Sequence, residues 1–434
     1  MAEKLGLPSS VSIALGGMIG GGIFSVLGVV AKIAGARTWL AFTAAGVVAL
    51  CAGYSYNKLN AVAARHGASV TYVQRFTGNA TLAGMVGWTL LFGYIGSMAM
   101  YAYAFGEFSV QLLGLHAAFG PVARPAVSTL AVAGFVGLNL LGARASGTTE
   151  NLLVGAKMLV LVGFGVAGAY YGHAEGVLSY GASGSLGVAP LVAAAVSFVA
   201  FQGWQLLFYD RESIRDPDTT IARAVYVAIP VAVAVYVLIA VVTTSLLSPE
   251  TIAQYKEVAL AAAAEPFLGQ RGYTLMSLAA VVSTGSAINA TLFSAAHFAK
   301  GMLDENLLPD RVGDGDADGV PERTLVLLGV ITVGFTIYGS LDGITTLASL
   351  AFIVVFGAMS ALAFRLRDDD RVNPVLPAVG VLGTAAFLPL LFYHLLSREP
   401  RTFVAVVLTA IAVFLIELSY FEREQLARVA GLHD

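Results

Sequence analysis

The sequence predicts an all-α integral membrane protein with about twelve transmembrane helices. Three observations carry this. Of its 434 residues, 57% are hydrophobic and only 12% are charged, about half the charged share of a soluble domain. Apolar runs of about 20 residues, the length a helix needs to cross a bilayer, recur along the chain. The third is Gly16-Gly17-Met18-Ile19-Gly20-Gly21-Gly22-Ile23-Phe24, a glycine run midway along the first apolar stretch. Glycine is a poor helix former, and broken backbone survives in hydrocarbon only where protein or a watery cavity satisfies it. The first span is therefore predicted to unwind at its midpoint, around a ligand.

The runs fall at 9–35, 37–57, 81–113, 123–141, 149–171, 189–209, 222–247, 272–300, 323–340, 343–366, 375–396 and 402–420. The first is too long for a signal peptide and leads straight into the second, so it is expected to be retained. With the N-terminus inside, sixteen lysines and arginines fall on the inner side and seven on the outer. That bias places both termini in the cytoplasm of a protein in the cell membrane. Segment 65–77, between the second and third spans, mixes charge with apolar residues and suits a short amphipathic helix on the inner surface, with a simple connector as the equal alternative. A net charge of −3 argues against nucleic-acid partners, and Cys51 as the only cysteine excludes an intrachain disulfide or a thiolate metal cluster. No phosphate-binding glycine loop is present, so any active transport must draw on a gradient. The six histidines are scattered with no paired metal motif. Neither an enzyme nor a cofactor is expected.

A second interruption is predicted in the sixth span, where Gln202, Gly203 and Gln205 lie among aromatics at mid-depth. Buried amides need hydrogen-bond partners, which unwound backbone or a polar substrate supplies. The first and sixth spans are five apart, an odd number, so two five-helix repeats would enter the membrane from opposite faces. Paired interrupted helices in corresponding halves point to a transporter site. On this reading residues 1–171 and 172–366 are inverted repeats, and 367–434 adds two helices and a tail.

At this point the residues resemble the amino acid–polyamine–organocation superfamily of permeases, which has the five-plus-five fold of the leucine transporter. Residues 16–24 look like its first-helix motif, and Phe198 to Gln205 its sixth-helix motif. Glu212-Ser213-Ile214-Arg215-Asp216-Pro217, with Ile221-Ala222-Arg223-Ala224, is similar to the segment that follows. Ser283 to Thr291 resembles its eighth-helix stretch, and Leu303 to Pro309 a later loop. Two departures stand out: Gln205 replaces a frequent acidic residue, removing a charged contact, and Ala222 replaces a proline.

The site residues follow. Gly20, Gly21 and Gly22, with Ile19 beside them, are candidates to hold a substrate carboxylate on exposed main-chain amides. Close helix packing through small residues is the alternative for these glycines. The resemblance implies that Phe198, Val199 and Phe201 offer carbonyls to a substrate ammonium, that Phe198 also acts as an aromatic lid, and that Trp204 and Ile288 line the side-chain pocket. Gln202 joins this group as a buried amide.

Lys157 lies roughly 12 Å into the fifth span, where a lysine is costly and a functional hypothesis by default. In proton-coupled members of the superfamily such an ammonium takes the place of a sodium ion. By that resemblance its partners are the Ser283 and Thr284 hydroxyls and carbonyls near Gly17 and Gly20. Snorkelling to the inner face is the alternative. Glu107 reads equally as a gating or proton-relay acid and as an interfacial residue, Glu417 as a helix-packing or oligomer residue, His297 as an inner-interface residue, and Tyr54, Tyr56, Trp88, Tyr101 and Tyr103 as compatible with interfacial belts. Residues 314–319 begin like a calcium loop but lack the acidic twelfth ligand.

The resemblance implies a secondary transporter of amino acids or small amines, working by alternating access. It is expected to couple to protons through Lys157, with uncoupled exchange or a non-transporting sensor as alternatives. Its expected partners are a small-molecule substrate, protons and membrane lipid.

Overall fold

The computed structural model describes residues 4–63, 69–141, 147–181, 187–209, 211–308 and 321–416. They form helices α1 (Leu7–Ala34), α2 (Thr38–Ala63), α3 (Ser69–Thr77), α4 (Ala80–Leu113), α5 (Leu115–Phe119), α6 (Ala123–Leu140), α7 (Gly147–Ala174) and α8 (Ala189–Ser197). After α8 come short 3-10 turns at Phe198–Phe201, Trp204–Phe208 and Arg211–Ser213. Then follow α9 (Pro217–Leu246), α10 (Pro249–Gln254), α11 (Ala259–Ala262), α12 (Glu265–Asp304), α13 (Glu322–Tyr338), α14 (Leu341–Arg365), α15 (Val375–Arg398) and α16 (Pro400–Ile416).

Among the described residues, nine stretches are long and apolar enough to cross a membrane. One of them, Leu7–Ala63, holds both α1 and α2, joined by a single turn at Gly35–Arg37. The shorter α13 and α16 occupy the ninth and twelfth predicted places. The chain is thus the all-α membrane protein its composition predicts.

Two helices differ from their expectation or refine it. α1 is helical without interruption from Leu7 to Ala34, so the break predicted at 16–24 is absent. Its glycines are enclosed by neighbouring helices, and a buried helix satisfies its own amides and carbonyls where no water can. The sixth span does break. α8 ends at Ser197, Gln202 is extended, and Gly203 sits at φ 123, a region that only glycine adopts without strain. α12 carries a kink of its own at Gly269, where φ is 60.

α1 and the broken sixth span lie at the centre, enclosed by α2, α4, α9, α12 and α14. The rim helices α6, α7, α15 and α16 expose Leu130, Leu159, Leu382 and Leu408, an apolar face suited to lipid. α3 is the amphipathic helix expected within 65–77; it buries Val70, Tyr72 and Val73 against α4 and α14. The segments 309–320 and 417–434, which include the calcium-like loop and Glu417, lie outside the described residues.

Loops at each end tie the bundle shut. At one end Leu5 N donates to Ser213 O at 2.8 Å and Arg215 N to Leu5 O at 2.9 Å, clipping the chain before α1 to the segment after the sixth-span break. There, too, Arg211 pairs with Asp218 at 2.7 Å and donates to Asn60 at 2.9 Å. At the other end the Lys256 ammonium, between α10 and α11, meets Asp342 of α14 at 2.5 Å.

Candidate functional site

The glycines of α1 are where the bundle closes on itself. A Cβ on Gly17 would stand 2.7 Å from the Gly203 Cα, so the two backbones touch at the sixth-span break. One on Gly21 would run into the Tyr101 ring of α4. One on Gly22 would lie 2.9 Å from the Tyr236 hydroxyl of α9 and 3.1 Å from Ala200 O. A Cβ on Gly20 would lie 3.3 Å from the Cβ of Ala287 in α12. Three adjacent glycines therefore serve three different neighbours. The packing alternative accounts for them in this conformation, in which the amides of Gly20, Gly21 and Gly22 belong to a continuous helix.

The break in the sixth span is held by side chains. Ser349 of α14 donates to Val196 O at 2.6 Å and accepts from Val199 N at 3.0 Å, closing the end of α8. Gly203 N donates to Gln205 Oε1 at 2.6 Å, and Gln205 Nε2 donates to Gln202 Oε1 at 3.3 Å. Gln202 Nε2 in turn donates to the Tyr101 hydroxyl at 2.6 Å. The two glutamine amides thus satisfy the unwound backbone and anchor it to α4. Tyr236 completes the arrangement, with its hydroxyl 2.7 Å from Met18 O and 2.9 Å from Ala200 O.

Ile19, Gly20, Gly21, Gly22, Phe198, Val199, Phe201, Gln202, Trp204 and Ile288 are all buried. The aromatic rings sort to two sides. Phe201 packs on Tyr236, their centroids 5.2 Å apart. Phe198 turns the other way, onto Phe356 and Phe387 of α14 and α15. Trp204 stands edge-on to Tyr56 at 5.1 Å and beside Phe356 at the same distance. Its buried indole N–H has no hydrogen-bond partner among the described residues.

The residues expected to couple transport are brought together only in part. Ser283 of α12 reaches Ile19 O at 3.4 Å, joining α12 to α1. Thr284 instead turns back on its own helix, donating to Ala280 O at 2.7 Å. Lys157 of α7 is 5% exposed, so its side chain is enclosed rather than extended to a surface, and α7 packs along both α1 and α12.

Two tyrosines read as interfacial are corrected: Tyr56 and Tyr101 are fully inside the protein, because their hydroxyls find partners there. Tyr56 meets Ser69 at 2.6 Å and Tyr101 meets Gln202. Glu107 pairs with His116 at 3.6 Å near the Lys256 end, and His297 packs on Phe293 within α12. The residues missed from sequence are Tyr236, Tyr101 as a site residue, and Ser349. A tyrosine at mid-span rather than at either edge was the available signal for the first two, since a buried phenol needs a partner. Ser349 carried none.

Comparison with known proteins agrees with this architecture. Residues 5–424 match the family model described as amino acid permease. Inner membrane transport protein YbaT of Escherichia coli (strain K12) is 30% identical over 414 residues, 93% of each chain. An uncharacterized protein of Methanocaldococcus jannaschii is 29% identical over 425 residues, 96% of this chain and 95% of its own. The Asc-type amino acid transporter 1 of Mus musculus is 24% identical over 445 residues, 96% of this chain and 81% of its own. With a family match along nearly the whole chain and the glycine run, sixth-span break and eighth-helix hydroxyl converging, this chain belongs to the amino acid permease family, within the amino acid–polyamine–organocation superfamily.

Proposed function

We propose that this permease carries amino acids or related small amines across the cell membrane by alternating access, driven by protons through Lys157, with both termini in the cytoplasm. The observation that carries the reading is the meeting of α1, the broken sixth span and α12 at one buried point, with Gly17 against Gly203 and Ser283 against Ile19. A substrate's ammonium would lie among the main-chain carbonyls of Phe198–Phe201. Its carboxylate would take the amides of Gly20, Gly21 and Gly22 as that stretch of α1 loosens, with the positive end of the freed half-helix favouring the anion. Trp204 and Ile288 would border the side chain. The inverted repeats 1–171 and 172–366 give the symmetry for rocking, with 367–434 added outside them.

Coupling rests on the enclosure of Lys157 in a helix packed against α1 and α12. On this reading its ammonium exchanges a proton as the bundle opens. The test is uptake of labelled amino acids into proteoliposomes with an inward proton gradient and no sodium. Concentrative uptake in wild type, lost in Lys157→Ala, is the expected result. Strict dependence on sodium would overturn the proton reading. Exchange of label between preloaded vesicles with no response to the gradient would assign an exchanger.

A further inference from the structure

One contact in the centre of the protein has more acceptors than its donor can serve. The Tyr236 hydroxyl lies 2.7 Å from Met18 O in α1 and 2.9 Å from Ala200 O in the sixth-span break. A phenol has one proton, so it donates to one carbonyl at a time while both point at the same spot. The ordinary donor for Ala200 O in a continuing 3-10 turn would be the amide of Gly203, and that amide is bonded to Gln205 Oε1 instead. The sequence also keeps this place clear. Gly22 has no side chain, and a Cβ there would lie 2.9 Å from the hydroxyl and 3.1 Å from Ala200 O. Phe201 and Phe42 hold the phenol ring at 5.2 and 5.3 Å between centroids. The result is a convergent pair of carbonyls, fully buried and closed by one hydroxyl whose ring must shift before the point is free.

Two carbonyls from different helices, aimed at one point, fit a group with several N–H donors better than a phenol. A primary ammonium has three, and its charge strengthens each bond. Resting on the permease reading above, we propose that the Tyr236 hydroxyl is an internal stand-in for the substrate's amino group. It occupies the meeting point of Met18 O and Ala200 O in the closed protein and yields that point to a primary ammonium on binding. Tyr236 thereby sets the affinity of the site, because every amine that enters must displace the same hydroxyl.

The test is uptake by proteoliposomes of each of the twenty common L-amino acids, in wild type and Tyr236→Phe. Removing the competing hydroxyl should lower the half-saturating concentration for the transported amino acids by about 2- to 10-fold, the worth of one net hydrogen bond. An unchanged or raised half-saturation with a reduced maximal rate means that Tyr236 only braces the helices, and overturns the proposal. If the phenylalanine variant fails to fold, 3-fluorotyrosine at position 236 decides by fluorine resonance. A saturable shift with a transported amino acid supports the stand-in, and a resonance that does not move refutes it. Wild type that takes up none of the twenty would overturn the permease reading and this proposal with it, whereas normal uptake without these effects removes this proposal alone.

Discussion

Gly17 and Gly203 meet backbone to backbone: a Cβ added to Gly17 would stand 2.7 Å from the Gly203 Cα. One residue belongs to an unbroken helix and the other to the break in the sixth span, where φ is 123. The contact fixes where the broken segment rests, and so where its carbonyls point.

Gly17→Ala should therefore cost about 1–3 kcal/mol, because the obstacle is main chain and cannot swing aside. Thermal melting in detergent checks this. Gly134→Ala is the control: it lies in α6 with nothing within 4 Å of a new Cβ, so its melt should stay level or rise, by at most about 1 kcal/mol, as helix propensity improves. Equal losses at both positions would contradict the packing account.

Tyr101→Phe removes the partner of Gln202 Nε2, an amide in a residue only 1% exposed. A buried donor left without its acceptor costs about 1–3 kcal/mol. The substitution should lower the melting temperature and weaken amino-acid uptake together, since Gln202 and Gln205 also hold the sixth-span break. An unaltered melt would show that the amide chain bears no weight.

The Lys256–Asp342 pair bridges the loop between α9 and α12 to the start of α14. Asp342→Asn should loosen that end of the bundle. Hydrogen–deuterium exchange over 249–264 is expected to accelerate, with little change at the opposite end around 211–218. Exchange that does not change would show the loop to be held by its apolar residues alone.

Glu257 beside that pair gives a pH dependence. Burial raises its carboxyl above the ordinary value, only partly offset by the Lys256 ammonium. A carboxyl raised in the folded protein penalises folding while it is charged. The penalty is complete above the raised value and is relieved as pH falls through it. Glu257→Gln should thus melt higher than wild type at neutral pH, and the difference should shrink toward the ordinary carboxylate range. Melting curves across that interval check the sign.

Much of this was legible in the sequence, and the remainder was hidden for definite reasons. Long apolar runs located the helices, because hydrocarbon admits few other structures. Gln202-Gly203 in an apolar span announced the sixth-span break, since two buried amides and a glycine have little other use there. The run at Gly20, Gly21 and Gly22 was ambiguous in principle. Glycine permits both an unwound backbone and a close approach, and only the position of Tyr101, Tyr236 and Ala287 decides between them. Tyr101 and Tyr236 could not be assigned their partners, because those lie on helices more than thirty residues away in the chain. Ser349 looked like any small residue of a packed span until Val196 and Val199 were seen across from it.

Counterflow asks whether the buried meeting of α1, the broken sixth span and α12 passes amino acids. Proteoliposomes loaded with a mixture of unlabelled L-amino acids are diluted into a trace of the labelled mixture, without any ion gradient. Label should rise transiently above equilibrium in vesicles holding wild type, and not in vesicles holding Gly203→Leu. Label that enters both no faster than protein-free vesicles, from protein shown by melting to be folded, would contradict passage through that meeting.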